Sequence, residues 1–329
     1  MLSGLPKSIV VCAVIAVAVT IMPGRSAMAE TPRAIVSVNT GIVSGRCERI
    51  APPVRRIETA SKYDQAIASK SVIDGNADAA RKAVMRPIDE AVRRLQTMAQ
   101  ANSADRDFAD RCVALNVKRW AEAGSLTDMA STDANLTRDR FVAAISEVLV
   151  STRARGTDAT SDETVREWLS SIASKTMRFY DWKAGQISRR NNHRYWAGLS
   201  VGRIGDLIGD TRMTAWARNS LEIGLCQIDE QGFLPLELQR GSKAYDYHLY
   251  AYVALRSLSD LLKSSPDSPA AACQERLAWL DQRVGGGIAG FEIRTGLRQD
   301  DPARKNLMAA ARLAATTPAG MSSGRGINY

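Results

Sequence analysis

From about residue 76 to residue 283, apolar residues recur at three- and four-residue spacing almost without a break, and this property most narrows the folds open to the chain. The spacing predicts helices over Asn76 to Ala101, Ala104 to Ala123, Arg138 to Thr152, Asp162 to Tyr180, His193 to Ile208, Thr211 to Asp229, Lys243 to Lys263 and Ala270 to Arg283. Pro87 either kinks the first of these or starts it. No convincing series of strands accompanies them. The links are short and punctuated by Gly156-Thr157-Asp158, Gly209-Asp210, Gly232 and the stretch Ser264 to Pro269. Helices of similar length on short links form antiparallel hairpins, and a succession of hairpins closes into an all-α barrel or an incomplete (α/α) toroid. The toroid domain is expected over residues 61–315. Residues 30–60, with Gly41, Gly45, Pro52 and Pro53, read as an extended segment, and the small, polar residues 316–329 as a poorly ordered tail.

The first 29 residues have a different character. Lys7 precedes an uncharged apolar run from Ile9 to Met22, and Ala27-Met28-Ala29 follows as a small-residue cleavage site. This is the three-part layout of a secretory leader, and its apolar run is shorter than the roughly 18–20 residues that span a bilayer. The expected mature protein starts near Glu30, lies in the periplasm or outside the cell, and has no stable membrane anchor. Cleavage removes Cys12 and leaves Cys47, Cys112, Cys226 and Cys273. Two disulfides suit an oxidising compartment, and Cys47–Cys112 with Cys226–Cys273 is the favoured pairing because each joins segments that the helices make neighbours. Four buried free thiols are the alternative. The formal charge of +9 falls to +7 when Lys7 and Arg25 leave with the leader. An exported basic chain meets acidic glycans more readily than nucleic acid. A monomer is expected.

The chain has two histidines, His193 and His248, and both lie in segments rich in Asn, Arg and Tyr. The first segment reads Arg189-Arg190-Asn191-Asn192-His193-Arg194-Tyr195-Trp196. The second runs from Pro235 through Glu237, Arg240 and Gly241 to Tyr245, Asp246, Tyr247, His248 and Tyr250. Asn192 and Ser242 are candidate caps for the helices that follow, which would turn free backbone donors and two positive helix ends towards one opening. Helix N-termini with an adjacent Arg favour a carboxylate ligand. The plainer reading is two ordinary capped helices with surface arginines. Neither histidine has neighbours that form a metal-ligand set, so no metal and no cofactor is expected.

Asn191-Asn192-His193-Arg194-Tyr195-Trp196 and Leu234-Pro235-Leu236-Glu237-Leu238-Gln239-Arg240, followed by Tyr247-His248-Leu249-Tyr250-Ala251, resemble the two signature segments of the alginate lyase family. Ser61-Lys62-Tyr63-Asp64, Ala51-Pro52-Pro53-Val54-Arg55 upstream of it, and Cys112 to Asn116 with Trp120-Ala121 extend the resemblance from about residue 47 to about residue 300. It implies an incomplete α/α toroid that depolymerises uronate chains without a metal. It also implies Asn192 and Arg240 as binders of the substrate carboxylate, His193 and Tyr247 as the proton-transfer pair, and Lys62 and Tyr63 on a lid. Trp196 would be a sugar platform or a core residue, His248 a structural residue or a subsite contact, and Tyr250 a further substrate contact. Gln65 to Lys70 replaces the Gly- and Ser-containing stretch usual in the lid, which leaves the lid contacts open.

The chemistry accounts for these residue types. β-Elimination removes the C5 proton beside a carboxylate, and that proton is very weakly acidic until the carboxylate charge is neutralised. Arg240 and the Asn192 amide supply donors for that purpose. In mannuronate and glucuronate the C5 hydrogen and O4 share a ring face, so Tyr247 alone could act as base and acid. A tyrosine of ordinary pKa, about 10, needs a neighbouring cation to serve as a base, and Arg240 or a charged His193 could provide it. Neutral His193 as base with Tyr247 as acid is equally compatible with the sequence. The substrate expected is alginate or polymannuronate. A polyglucuronate lyase and a catalytically silent periplasmic glycan-binding protein are the alternatives. A glycoside hydrolase ranks last, because Glu237 and Asp246 are the only acids in the signature segments and it needs two opposed carboxyls.

Overall fold

The computed structural model describes residues 42–43, 45–263 and 271–300, so the expected leader and tail lie outside the described residues. The chain enters through extended segments with two-residue strands, β1 (Ile42–Val43) pairing antiparallel with β2 (Arg46–Cys47), and then β3 (Arg56–Ile57). β3 pairs parallel with β4 (Asp128–Met129). All other regular structure among the described residues is helical, giving an all-α architecture.

The extended entry is fastened to α2 (Arg106–Glu122) by the Cys47–Cys112 disulfide, with Cα atoms 5.2 Å apart. One turn on, the buried Asn116 amide accepts from Ile50 N and donates to Glu48 O, both at 2.9 Å. Trp120 Nε1 donates to Ile50 O, so a segment with no helix partners of its own has its backbone groups satisfied by α2. The second disulfide, Cys226–Cys273, ties the end of α6 (Thr211–Leu225) to the segment before α9 (Arg276–Gly285). Both pairings are those favoured from the sequence.

α1 (Gly75–Ala99) is capped by Asp74, whose carboxylate accepts from Asn76 N and Ala77 N, and continues as one helix through Pro87, which does not start it. It buries Met85, Ile88, Val92, Leu95 and Met98 along one stripe. α3 (Thr132–Ala154) begins six residues earlier than the apolar spacing suggests, because the Ser131 hydroxyl accepts from Ala134 N and fixes the start. α4 (Glu163–Arg178) ends in a π-helical turn, Phe179–Lys183. α6 stops at Leu225, short of the expected Asp229, and α9 starts at Arg276 rather than Ala270. α7 (Pro235–Leu238) and α10 (Ala289–Thr295) were not foreseen; both are too short to show a period.

α5 (Asn192–Ile208) is the axis of the fold and packs against α3, α4, α6 and α8 (Ala244–Lys263). Val201, Ile204 and Leu207 join the core formed by α1 to α4, while Tyr195, Trp196 and Leu199 join the core shared with α6, α8 and α9. Burial on both sides explains why this helix shows no polar face. Its approach to α6 depends on two glycines: a Cβ at Gly198 would lie 2.6 Å from Ser220 Cβ, and one at Gly202 would lie 2.8 Å from Ala217 Cβ. A substitution at either position would force the two helices apart. The close contact seats the N-terminus of α5, where the first signature segment lies.

Candidate active site

Asn191, not Asn192, caps α5: its backbone is extended and its side chain accepts from His193 N at 3.1 Å. Asn192 is therefore the first helical residue, and its N–H is one of the donors a helix start leaves unpaired. A buried carboxylate meets that donor. Glu237, fully buried on α7, accepts from Asn192 N at 2.8 Å, and its two oxygens each lie 3.0 Å from Asn192 Nδ2. Burial raises the Glu237 pKa, opposed by the bonds from Asn192 and by the charge of Arg240. Asn192 Oδ1 is buried and has no partner among the described residues.

His193 turns its Nδ1 to Leu136 O of α3 at 3.2 Å. A carbonyl can only accept, so Nδ1 carries the proton and the lone pair is on Nε2. Burial, then the nearby Arg240 charge, lowers the His193 pKa to about 4, with Arg81 adding to the effect. The imidazole is thus neutral at physiological pH and can act as a base. Its backbone carbonyl accepts from Tyr180 of the π-turn at 3.1 Å.

Arg240 lies one turn beyond Glu237, and its N–H donates to Glu237 O at 3.1 Å. Its guanidinium sits 4.1 Å from the Tyr247 ring centroid and 6.0 Å from that of Tyr63. The Tyr247 and Tyr63 hydroxyls are hydrogen-bonded to each other. Burial, followed by Tyr63, pushes the Tyr247 phenol well above its ordinary pKa; Arg240 pulls the other way and does not prevail. Tyr247 therefore holds its proton in the free protein. Tyr63 belongs to a small closed turn in which Asp64 N donates to Val72 O and Asp74 N to Lys62 O, each at 3.0 Å. Lys62 Nζ lies 5.2 Å from the Tyr63 ring centroid.

Other expected site residues are placed differently. His248 is fully buried: Nδ1 donates to Ala244 O at 2.7 Å and Nε2 accepts from Leu234 N at 2.8 Å, between the rings of Phe233 and Phe291. Both ring nitrogens are used within the protein, so of the two roles open to His248 in the sequence the structure favours the structural one over a substrate contact. Trp196 is only 4% exposed, stacks on Tyr250 at 4.9 Å and donates Nε1 to Tyr250 O, which makes it a core residue rather than a sugar platform. Tyr250 is half-buried, and burial pushes its phenol up to about 12. Ser242 caps nothing: a 3₁₀ turn, Gly241–Lys243, leads directly into α8.

Sequence reasoning missed the cations contributed by other helices. Arg81 on α1, held by Asp133 and Thr137, and Arg140 on α3, stacked 4.1 Å from the Phe141 ring, both act electrostatically on Tyr250, and Arg81 also acts on His193. Neither lies in a motif, and only the packing of α1 on α3 and of α3 on α5 brings them to the site. Among the described residues there is no group of three His, Cys, Asp or Glu placed to hold a metal ion, and no helix long and apolar enough to cross a membrane.

The alginate lyase family profile matches residues 58–265. An alginate lyase of Pseudomonas paraeruginosa PA7 is 27% identical over 273 residues, covering 78% of this chain and 72% of its own length. An alginate lyase of Pseudomonas putida F1 is 27% identical over 290 residues, covering 81% and 75%. Among solved structures, alginate lyase A1-III from Sphingomonas species A1 superposes with a TM-score of 0.62 at 16% identity, covering 82% of this chain and 78% of that one. A variant of the same lyase complexed with a tetrasaccharide gives 0.64 at 16% identity, covering 80% and 75%.

Proposed function

Because the chain belongs to the alginate lyase family, we propose that it is a polysaccharide lyase that cleaves alginate by β-elimination and leaves an unsaturated uronate end on one product. The observation that carries this reading is the convergence of Arg240, Tyr247 and His193: the Arg240 guanidinium lies 4.1 Å from the Tyr247 ring centroid, its charge helps keep His193 neutral, and Tyr247 is held protonated. Arg240 neutralises the substrate carboxylate, so that negative charge building up on it at the transition state meets a fixed cation. The Asn192 amide supplies a second donor. Its two hydrogens diverge far more widely than the two oxygens of one carboxylate seen from Nδ2. A single N–H therefore serves both Glu237 oxygens and leaves the other uncommitted to Glu237; Asn192 is fully buried, so the substrate carboxylate meets that N–H only once it has entered the site.

Nε2 of His193 takes the C5 proton, and the Tyr247 phenol gives its proton to the departing O4. The structure supports this division over Tyr247 acting alone, because a phenol held well above its usual pKa makes a poor resident base and a sound acid. Tyr63 and Lys62 close over the cleft from their turn, and Tyr250 lines it. The helical hairpins form the incomplete α/α toroid, and the leader exports the chain to the periplasm as a monomer. The test is the purified protein against mannuronate, guluronate, glucuronate and galacturonate polymers, following the ultraviolet absorbance of the new C4–C5 double bond. Activity on alginate is expected; activity on none of the four refutes the reading.

A further inference from the structure

Glu237 takes no part in the chemistry above, yet it is the most completely engaged acid at the site. It is fully buried and accepts from Asn192 through three contacts of 2.8, 3.0 and 3.0 Å. Through its own carbonyl it anchors the N–H of Arg240. These are the two residues assigned to the substrate carboxylate, and they come from different helical segments separated by more than forty residues of sequence. Nothing else among the described residues bonds to both. A carboxyl that serves catalysis directly must reach the C5 proton or the glycosidic oxygen, whereas both Glu237 oxygens are occupied by Asn192.

We propose that Glu237 is a positioning residue that fixes the Asn192 amide in one of its two orientations and sets it in register with Arg240, so that the two form a single carboxylate-binding pair. The inference rests on the lyase reading of this site. Without an acceptor on its Nδ2 side, the Asn192 amide has no reason to prefer donor over acceptor towards the cleft. Its unpartnered Oδ1 marks which end the carboxylate has selected. The carboxylate also places a negative charge near Tyr247 and contributes to raising that phenol, together with Tyr63 and against Arg240. Glu237 therefore acts through Asn192 by hydrogen bonding and on Tyr247 by charge.

Glu237→Gln separates this role from a structural one. Glutamine keeps the volume and the Oε1 acceptor that Asn192 N and Nδ2 share, but it puts an NH₂ at the Oε2 position, a donor facing the donor Nδ2 across 3.0 Å, and this repulsion turns the Asn192 amide to present Oδ1 instead. Turnover on polymannuronate should fall about 10²-fold, the usual scale for a misplaced binding group, with thermal midpoint and circular dichroism close to the parent. The alkaline limb of the rate profile should move to lower pH, because a charge that raises Tyr247 is gone. In a cycle with Asn192→Ala, the double variant should be no slower than the slower single variant. If Glu237→Gln does not fold, Glu237→Asp keeps the charge and withdraws the oxygens by one methylene; it should lose turnover with the alkaline limb unmoved. Parent-like turnover in the folded variant, additive losses in the cycle, or a loss that merely tracks thermal stability overturns the proposal. Arg240→Ala and Tyr247→Phe run alongside. If both are inactive while Glu237→Gln is not, only this inference fails; if both retain full activity, the lyase reading of the site fails.

Discussion

Tyr247→Phe tests the chemistry most directly, because the structure separates what the hydroxyl does from what the ring does. The ring sits 4.1 Å from the Arg240 guanidinium and keeps that contact in phenylalanine. The hydroxyl makes one hydrogen bond, to Tyr63. Deleting it removes a bond worth about 1 kcal/mol of net stability, against a total of about 5–15 kcal/mol for a folded domain, so the population of folded protein is unchanged. Loss of a general acid lowers turnover by about 10²–10⁴-fold, or about 3–5 kcal/mol of barrier. The two effects differ enough to be told apart in one assay: initial rates of double-bond formation on polymannuronate, with binding followed separately by substrate titration. Turnover should collapse while affinity changes by less than about threefold. Tyr63→Phe is the control, since it breaks the same hydrogen bond from the other side and leaves the proton donor in place. Near-parental turnover in folded Tyr247→Phe, or an equal loss in both variants, refutes the role assigned to the Tyr247 hydroxyl.

The ionisation states give further expectations. The kcat/KM profile should be level from about pH 5 through neutrality, fall as pH drops through about 4 where His193 takes up its proton, and fall again only in strong alkali where Tyr247 loses its own. A rate that climbs steadily through neutrality would instead make the Tyr247 phenolate the base. Stability has its own acid dependence. His248 has a folded pKa of about 4 against 6.5 when unfolded, so its contribution is complete above pH 6.5 and is lost as pH falls towards 4. The loss amounts to about 3 kcal/mol. Urea midpoints measured from pH 7 to 4 should fall accordingly, and the fall should be shallower in His248→Gln; an unchanged slope would contradict the buried neutral histidine. Block specificity bears on the base. Guluronate presents its C5 hydrogen on the ring face opposite O4, so if His193 and Tyr247 work from one face, as polymannuronate requires, guluronate blocks should be poor substrates; equal rates on the two blocks would refute that same-face arrangement.

The helices were legible where one face is apolar and the other wet. Their ends were legible where a cap coincides with the start of the apolar period, as at Asp74 before α1, and not where a cap sets the start ahead of it, as Ser131 does six residues upstream of the first expected residue of α3. The candidate site was legible as a cluster because its residues lie close in sequence: Asn192 and His193 are adjacent, and Arg240 and Tyr247 lie within one stretch of eight residues. Roles that depend on burial could not be read that way. His248 and Trp196 look like ligand residues in the sequence because both carry a polar atom on an aromatic ring. In the fold those atoms are consumed by Leu234, Ala244 and Tyr250, and the rings become core. Near neighbours, Tyr247 beside His248 and His193 three positions before Trp196, thus divide into candidate site residues and scaffold. The division follows from which face of α5 or α8 each occupies, since a buried polar atom must find its partner within the protein. His248 joins the start of α7 to the start of α8, and between its two bonds run the residues that carry Glu237 and Arg240. His248, with both ring nitrogens spent inside the protein, therefore braces the segment that carries the two residues proposed to set up the carboxylate site.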